Sequence, residues 1–411
     1  MTSDRTKIWL AVIVAALGYF VDVFDIWLFA NFRVPSLKAL GLEGEALTRE
    51  GAFLLNCQQA GFLLGGFVWG ILGDKLGRSR VLFGSILLYS LGNIANAFVT
   101  DLSTYAIIRF ITGFGLAGEI GAGVTLVAEL MPREKRGYGV TVVATVGVSG
   151  AIAASLAGSW LDWETGFLLG GGMGLSLLLL RLFVHESGLF EQLQRTSHPV
   201  ERGSLRLLFA TRERTIRFLA CVSLAIPVWV VAGLYGVFAP ELGVALGIAE
   251  PIVAPQALLW ISVGMTAGDL LSGLLSQRLR SRKKPIALFM AAAFLSLSAL
   301  HSGVSHNPTT FYGLLGLAGF FSGYWICALT TAAEQFGTNL RATVTTVTPN
   351  LVRATVIPIT WGFVNLRGSL GTAEAAFVVA AIGFAIAAAG LLTISESFSR
   401  DLDFVEERRP A

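Results

Sequence analysis

Charge is scarce in this sequence. Asp, Glu, Lys and Arg make up 14% of its 411 residues, well below the roughly 25% of a typical soluble domain. That deficit excludes a conventional soluble enzyme and a disordered chain. The formal net charge of +3 is too small and too scattered for a nucleic-acid binder. Cysteine is as sparse. Cys57, Cys221 and Cys327 all fall inside apolar stretches and share no metal-ligand spacing. A disulfide-stapled module and a metal site are thereby excluded, and the three read as small buried hydrophobes. The four histidines, His185, His198, His301 and His306, all lie near loops. With no nucleophile–base pair and no metal cluster, neither an enzyme nor a resident cofactor is expected.

What the sequence has in excess is apolar residues, 54% of the chain, with a mean hydropathy of +0.69. A helix crossing a bilayer needs about 20 mostly apolar residues. Twelve stretches qualify: 8–30, 51–73, 81–99, 102–128, 138–160, 165–184, 215–239, 253–276, 285–304, 309–333, 342–365 and 374–395. The first is too long for a cleaved signal and carries Asp22 and Asp25. Basic residues set the orientation. With the N-terminus inside, the cytoplasmic segments hold 24 of the 30 Lys and Arg, the outer loops four and the spans two, Arg109 and Arg353. Both termini are therefore expected in the cytoplasm.

The chain also repeats itself. Gly70-Ile-Leu-Gly-Asp-Lys-Leu-Gly-Arg-Ser-Arg80 follows span two, and Gly273-Leu-Leu-Ser-Gln-Arg-Leu-Arg-Ser-Arg-Lys283 follows span eight, 203 residues later. Glu129, Pro132 and Arg136-Gly137 after span four are echoed by Glu334, Gly337 and Arg341-Ala342 after span ten, at an offset of 205. Two independent loops at nearly one offset indicate duplication. The expected organisation is an N-terminal six-helix bundle over 1–185, a cytoplasmic linker over 186–214 and a C-terminal six-helix bundle with a short tail over 215–411.

The block Gly70–Arg80 resembles the signature loop between helices two and three of the major facilitator superfamily, matching at Gly70, Asp74, Gly77, Arg78 and Arg80. The resemblance implies an all-α integral membrane protein of twelve transmembrane helices, in two pseudo-symmetric bundles that work by alternating access. In that family the loop acid meets helix eleven of the other half. Here Asp74 suits a helix N-terminus, and Arg78 and Arg80 can reach Glu129 or the polar end of helix four, near Arg136. These residues, with the turn glycines Gly70 and Gly77, are candidates for a gate; simple orientation and folding is the plain alternative. The second copy has Gln277 in place of the acid and reads only as a basic loop.

Ionisable groups inside spans are costly and point to function. Asp22 and Asp25 share a face of helix one, about 21–26 Å up from the cytoplasm, and Arg109 lies about 10 Å below the outer face on helix four. A contact between them can hold a transferable proton, since protonating the acids releases Arg109; a static ion pair is the alternative. Gly18-Tyr-Phe-Val-Asp22-Val-Phe-Asp25 and Arg109-Phe-Ile-Thr-Gly113-Phe-Gly115-Leu-Ala-Gly118-Glu119 resemble helices one and four of the metabolite:proton symporter branch. Glu119, about 15 Å from Arg109 along the axis, either relays a proton or bonds a neighbouring helix. Asp269 reads as an interfacial structural acid.

Arg353, near the midplane of helix eleven between Pro349 and Pro358, with Asn350 beside it, can grip a carboxylate or phosphate with two parallel hydrogen bonds. Pairing with an acid of the other half is its alternative role. Trp229 and Tyr235 in helix seven, and Tyr324 and Trp325 in helix ten, are further candidates for the cavity wall or for plain packing. Gly61, Gly65, Gly66 and Gly70 read as close helix packing. Helix five has Gly147-Val-Ser-Gly150 where drug antiporters of the family carry Gly-Pro.

The expected function is secondary active transport across a bacterial inner membrane. A monomer would take up a small organic anion or zwitterion with protons as coupling ion and with no nucleic-acid partner. Export of a metabolite, siderophore or drug by proton antiport is the alternative, ahead of a sugar uniporter or a non-transporting sensor.

Overall fold

A computed structural model describes residues 2–76, 78–118, 136–186, 208–303, 307–398 and 406. Its described residues are almost wholly helical, as lipid demands: a spanning backbone must satisfy its own hydrogen bonds. The first six spans are α1 (Thr2–Ala39), α2 (Gly44–Leu76), α3 (Arg78–Asn96), α4 (Leu102–Leu116), α5 (Arg136–Trp160) and α6 (Trp163–Glu186). The seventh is broken into α7 (Arg212–Ser223), α8 (Ile226–Trp229) and a π-helical segment, Val230–Gly236, followed by the short α9 (Ala239–Ala245). Then come α10 (Ala254–Leu279) and α11 (Lys283–His301). The tenth span is α12 (Pro308–Ser322) plus α13 (Trp325–Gln335), and the eleventh is α14 (Thr338–Ala354) plus α15 (Val356–Leu370). The twelfth is α16 (Thr372–Thr393). Each expected span thus meets a helix or a broken helix, and the chain has the twelve-helix architecture that its hydropathy predicts.

Local chemistry sets the ends. Asp101, Asp162 and Asn307 each accept the N–H of the residue three places on, at 2.9 Å, which satisfies one orphan donor of α4, α6 and α12. Thr211 does the same for α7 through Arg214. The breaks have equally local causes. Pro227 has no N–H and interrupts span seven, and the break of span eleven at Thr355 falls between Pro349 and Pro358.

The chain forms two compact units, Met1–Pro199 and Val200–Ala411. In the first, α1 packs on α5 and α6, and α4 on α2 and α3. In the second, α12 packs on α10 and α11, and α16 on α7, α11 and α15. Both units use one packing device. A Cβ on Gly61 or Gly65 of α2 would lie 2.1 Å or 2.4 Å from the Phe110 or Phe114 carbonyl of α4. A Cβ on Gly264 or Gly268 of α10 would lie 2.2 Å or 1.8 Å from the Gly316 or Phe320 carbonyl of α12. Gly113 meets the Gln58 carbonyl as Gly319 meets that of Ile261. The α2 and α10 positions differ by 203 and the α4 and α12 positions by 206. The duplication seen in the loops therefore extends to backbone-on-backbone helix contacts, for which only glycine leaves room. Large apolar side chains such as Phe98, Trp160, Leu274 and Leu392 point outward, the inverse of a soluble surface and the arrangement a lipid solvent favours.

Candidate functional site

In the N-terminal unit α1, α3 and α4 carry buried charged and amide groups, alongside other buried polar side chains such as Arg33, Gln58 and Gln59. Asp22, Asp25, Asn93 and Arg109 are all buried, the last three completely. Arg109 of α4 lies with its guanidinium carbon 4.8 Å from the Phe29 ring centre of α1 and 5.7 Å from that of Phe167 of α6. Tyr105, one turn before it, closes the enclosure edge-on to both rings and donates its hydroxyl to Ser36 at 3.1 Å. The Asp25 carboxylate acts electrostatically on Arg109. None of the three guanidinium nitrogens has a hydrogen-bond acceptor among the described residues. The cation is thus held by ring faces, each worth about 0.5–2 kcal/mol, and by the field of one carboxylate. Asp25 lies within electrostatic range of Arg109, with Asp22 three residues from Asp25 on α1.

Two further contributors carry no charge, and a search of the sequence for charges passes over them. Asn93 of α3 is fully buried, and neither end of its amide is hydrogen-bonded among the described residues. Gly170 of α6 leaves room for the carboxylate: a Cβ there would lie 2.6 Å from Asp25 Oδ1 and 3.6 Å from Asn93 Nδ2. The signal available was an amide inside span three, since an unsatisfied polar group in lipid is costly even when neutral.

The C-terminal unit holds the other candidates. Arg353 and Asn350 are buried in the last two turns of α14, where the negative end of the helix dipole favours the guanidinium. Tyr324 donates its hydroxyl to the Leu224 carbonyl at 2.9 Å. That carbonyl lies at the break before Pro227, so Tyr324 ties the break of span ten to that of span seven. Asp269 accepts the Ile326 N–H at 3.2 Å, capping the start of α13. Trp229 is buried at the start of the π segment and packs over Gly233; Trp325 is partly exposed. Tyr235, fully buried within the π segment, shares a hydrogen bond of 2.8 Å with His301 Nε2. His301 is the one histidine whose side chain is described, and it ends a helix and reaches inward. A π-helical turn within a span often marks a functional position, and sequence periodicity does not reveal one.

The proton-coupling candidate Glu119 lies outside the described residues, as do the gate candidates Gly77 and Glu129, the side chains of Asp74, Arg78, Arg80 and Arg136, and the surroundings of Gly70. Their C-terminal counterpart is described and is more than a basic loop. Arg282 grips Glu334 with a two-pronged pair, Nη2 to Oε1 at 2.8 Å and Nε to Oε2 at 3.1 Å, and Ser397 donates to the same carboxylate at 2.8 Å. Glu396 accepts the Ser281 hydroxyl and the N–H groups of Arg282, Ser397 and Phe398. Partial burial opposes ionisation of Glu396, but these hydrogen bonds outweigh it and hold the carboxyl down to about 2.

A family model described as Major Facilitator Superfamily matches residues 15–359. The chain belongs to that superfamily. As a member it is a membrane transporter and not an enzyme. It is 30% identical over 399 residues to a putative metabolite transport protein of Haemophilus influenzae, a match covering 90% of this chain and 92% of that one. It is 30% identical over 310 residues to the 3-(3-hydroxy-phenyl)propionate transporter of Escherichia coli, covering 71% and 73%. The transporter also shares its fold with the inward open xylose transporter XylE of E. coli, at a TM-score of 0.73 and 15% identity over 96% of this chain and 98% of that one.

Proposed function

We propose that this transporter couples inward proton flow to uptake of a small organic anion or zwitterion, with Asp25, assisted by Asp22, as the proton carrier. The observation that carries this reading is the complete burial of Asp25 and Arg109 within electrostatic range of each other. With Asp25 ionised, its charge compensates the cation. With Asp25 protonated, Arg109 is left with ring faces alone in a medium where uncompensated charge is expensive. Proton binding therefore changes the electrostatic cost of this corner and can favour one conformation over another, which is what coupling requires.

The solute class rests on different support. Arg353, at the proline-flanked break of span eleven, suits a carboxylate, with Asn350, Trp229, Tyr235, Tyr324 and Trp325 as candidate wall residues. The similar E. coli protein is named for a carboxylic acid. The basic-residue bias supports both termini in the cytoplasm of a bacterial inner-membrane protein. The fold needs no second copy, so a monomer suffices. Asp74, Arg78, Arg80, Glu129 and Arg136 are proposed as the cytoplasmic gate, in the way Arg282 and Glu334 pair in the other unit.

The test begins with a thermal-shift panel of carboxylates, zwitterions and neutral sugars on purified wild type and Arg353→Gln. A carboxylate that stabilises wild type and not the variant is the expected result; sugars alone binding refutes the anion reading. That solute, radiolabelled, is then followed in proteoliposomes. Asp25→Asn is expected to abolish accumulation driven by a proton gradient while solute exchange continues. Equal loss of both, or of neither, refutes the role of Asp25.

A further inference from the structure

We infer that Asn93 is a positioning residue for the Asp25 proton site, and that Gly170 is the clearance through which the carboxylate and the amide meet. The inference rests on Asp25 being the proton carrier. Three helices make the juxtaposition. α1 supplies Asp25, α3 supplies Asn93, and α6 faces both with a residue that has no side chain. The Cβ that Gly170 lacks would overlap Asp25 Oδ1, at 2.6 Å, and Leu28 Cδ2, at 2.7 Å, and touch Asn93 Nδ2, at 3.6 Å, so the carboxylate, the amide and Leu28 border one small space.

The chemistry of the amide fits that position. A buried carboxyl that gains and loses a proton needs a neighbour able to serve both forms. An amide N–H donates to the carboxylate, or to the carbonyl oxygen of the acid, and an amide oxygen accepts the O–H of the acid. A hydroxyl-free apolar residue does neither. Asn93 has both ends of its amide uncommitted among the described residues, at zero exposure. Leaving two buried polar atoms without partners has a substantial cost, and a partner in another protonation state or conformation of Asp25 offsets it.

The charged and titratable surroundings of Asp25 are few. α4 contributes Arg109 and Tyr105. Over its described side chains, α1 itself carries Asp22, Tyr19, Arg33 and Lys38. Over their described side chains, α3 has only Tyr89 and α5 has none; α6 has Glu164 and Arg181, near its two ends, and α2 has Glu45, Arg49, Glu50 and Cys57. On α3, Asn93 is a polar group that shares the Gly170 position with the carboxylate.

Infrared difference spectroscopy of detergent-purified protein during a pH titration tests this without a known solute. A protonated buried carboxyl has its own C=O stretching band, and the band missing from Asp25→Asn belongs to Asp25. In Asn93→Leu that band is expected at higher frequency, because the carbonyl has lost a donor, with its titration midpoint moved by about one pH unit, the size of a single hydrogen-bond effect. Asn93→Gln, which keeps the amide, is expected to restore the frequency in part. Gly170→Ala, which fills the clearance, is expected to change it as Asn93→Leu does. If the Asp25 band is present but unmoved in Asn93→Leu, the inference fails and the proton-carrier reading stands. If no band is lost in Asp25→Asn, both fail. Should the Leu variant not fold, Asn93→Ser, shorter and unable to reach, is read by the same criteria.

Discussion

Glu406 joins two arginines and an asparagine in the C-terminal unit outside the spans, and the removal of its charge has a calculable effect. Its carboxylate takes Arg214 Nε at 2.9 Å and Arg217 Nη1 at 2.9 Å, while its backbone exchanges two hydrogen bonds of 3.0 Å with the Asn339 side chain. It therefore straps the base of α7 to the start of α14. Glu406→Gln keeps the backbone bonds and removes the charge. The Arg214 pair is almost dry, with side-chain exposures of 8% and 10%, so its loss counts nearly in full. Arg217 is wetter, at 21%, and keeps Glu213 at 2.7 Å. A charge-assisted hydrogen bond is worth about 1.5–3 kcal/mol net, and the exposed partner adds under about 1 kcal/mol. The expected loss is about 2–4 kcal/mol, or a fall of about 4–16 °C in Tm for a cooperative unit of this size. Differential scanning fluorimetry of purified protein reads it directly. Arg214→Met combined with Glu406→Met is expected to recover much of the loss, since an apolar pair of similar volume avoids stranding a charge. A Tm within about 1 °C of wild type for Glu406→Gln would refute the strap, because even a surface pair approaches that size.

Two further outcomes follow from the geometry. Gly268→Ala places a methyl group on the Phe320 carbonyl, whereas Gly273→Ala on the same helix meets nothing within 4 Å; the first is expected to cost about 1–3 kcal/mol by overpacking and the second to fall within error, read as Tm and as monodisperse yield. Glu396, held down to about 2 from an ordinary 4.5, contributes stability that is fully present above about 4.5 and is lost as pH falls toward 2. Acid titration of Tm in Glu396→Gln is therefore expected to be flatter over that window than in wild type, and an unchanged acid limb would remove Glu396 from the account.

The sequence by itself determined the spans, their number and the duplication, because each of these is a one-dimensional consequence of lipid as solvent. About 20 apolar residues cross the bilayer wherever they occur, and a buried charge such as Asp25, Arg109 or Arg353 stands out against them without reference to any neighbour. The signature loop Gly70–Arg80 and the pattern around Asp22–Asp25 were legible for the same reason. The tertiary structure decided which polar groups meet. Whether Asp25 faces Arg109, whether Asn93 on another helix faces Asp25, and whether Gly170 leaves the room for it depend on rotation and crossing of helices. Those are set by contacts such as Gly65 on the Phe114 carbonyl, between residues far apart in the chain. The π segment that carries Tyr235 to His301 and the strap at Glu406 were hidden likewise. A one-residue shift in helical register leaves composition untouched, and distance between helices has no representation in a sequence read one residue at a time.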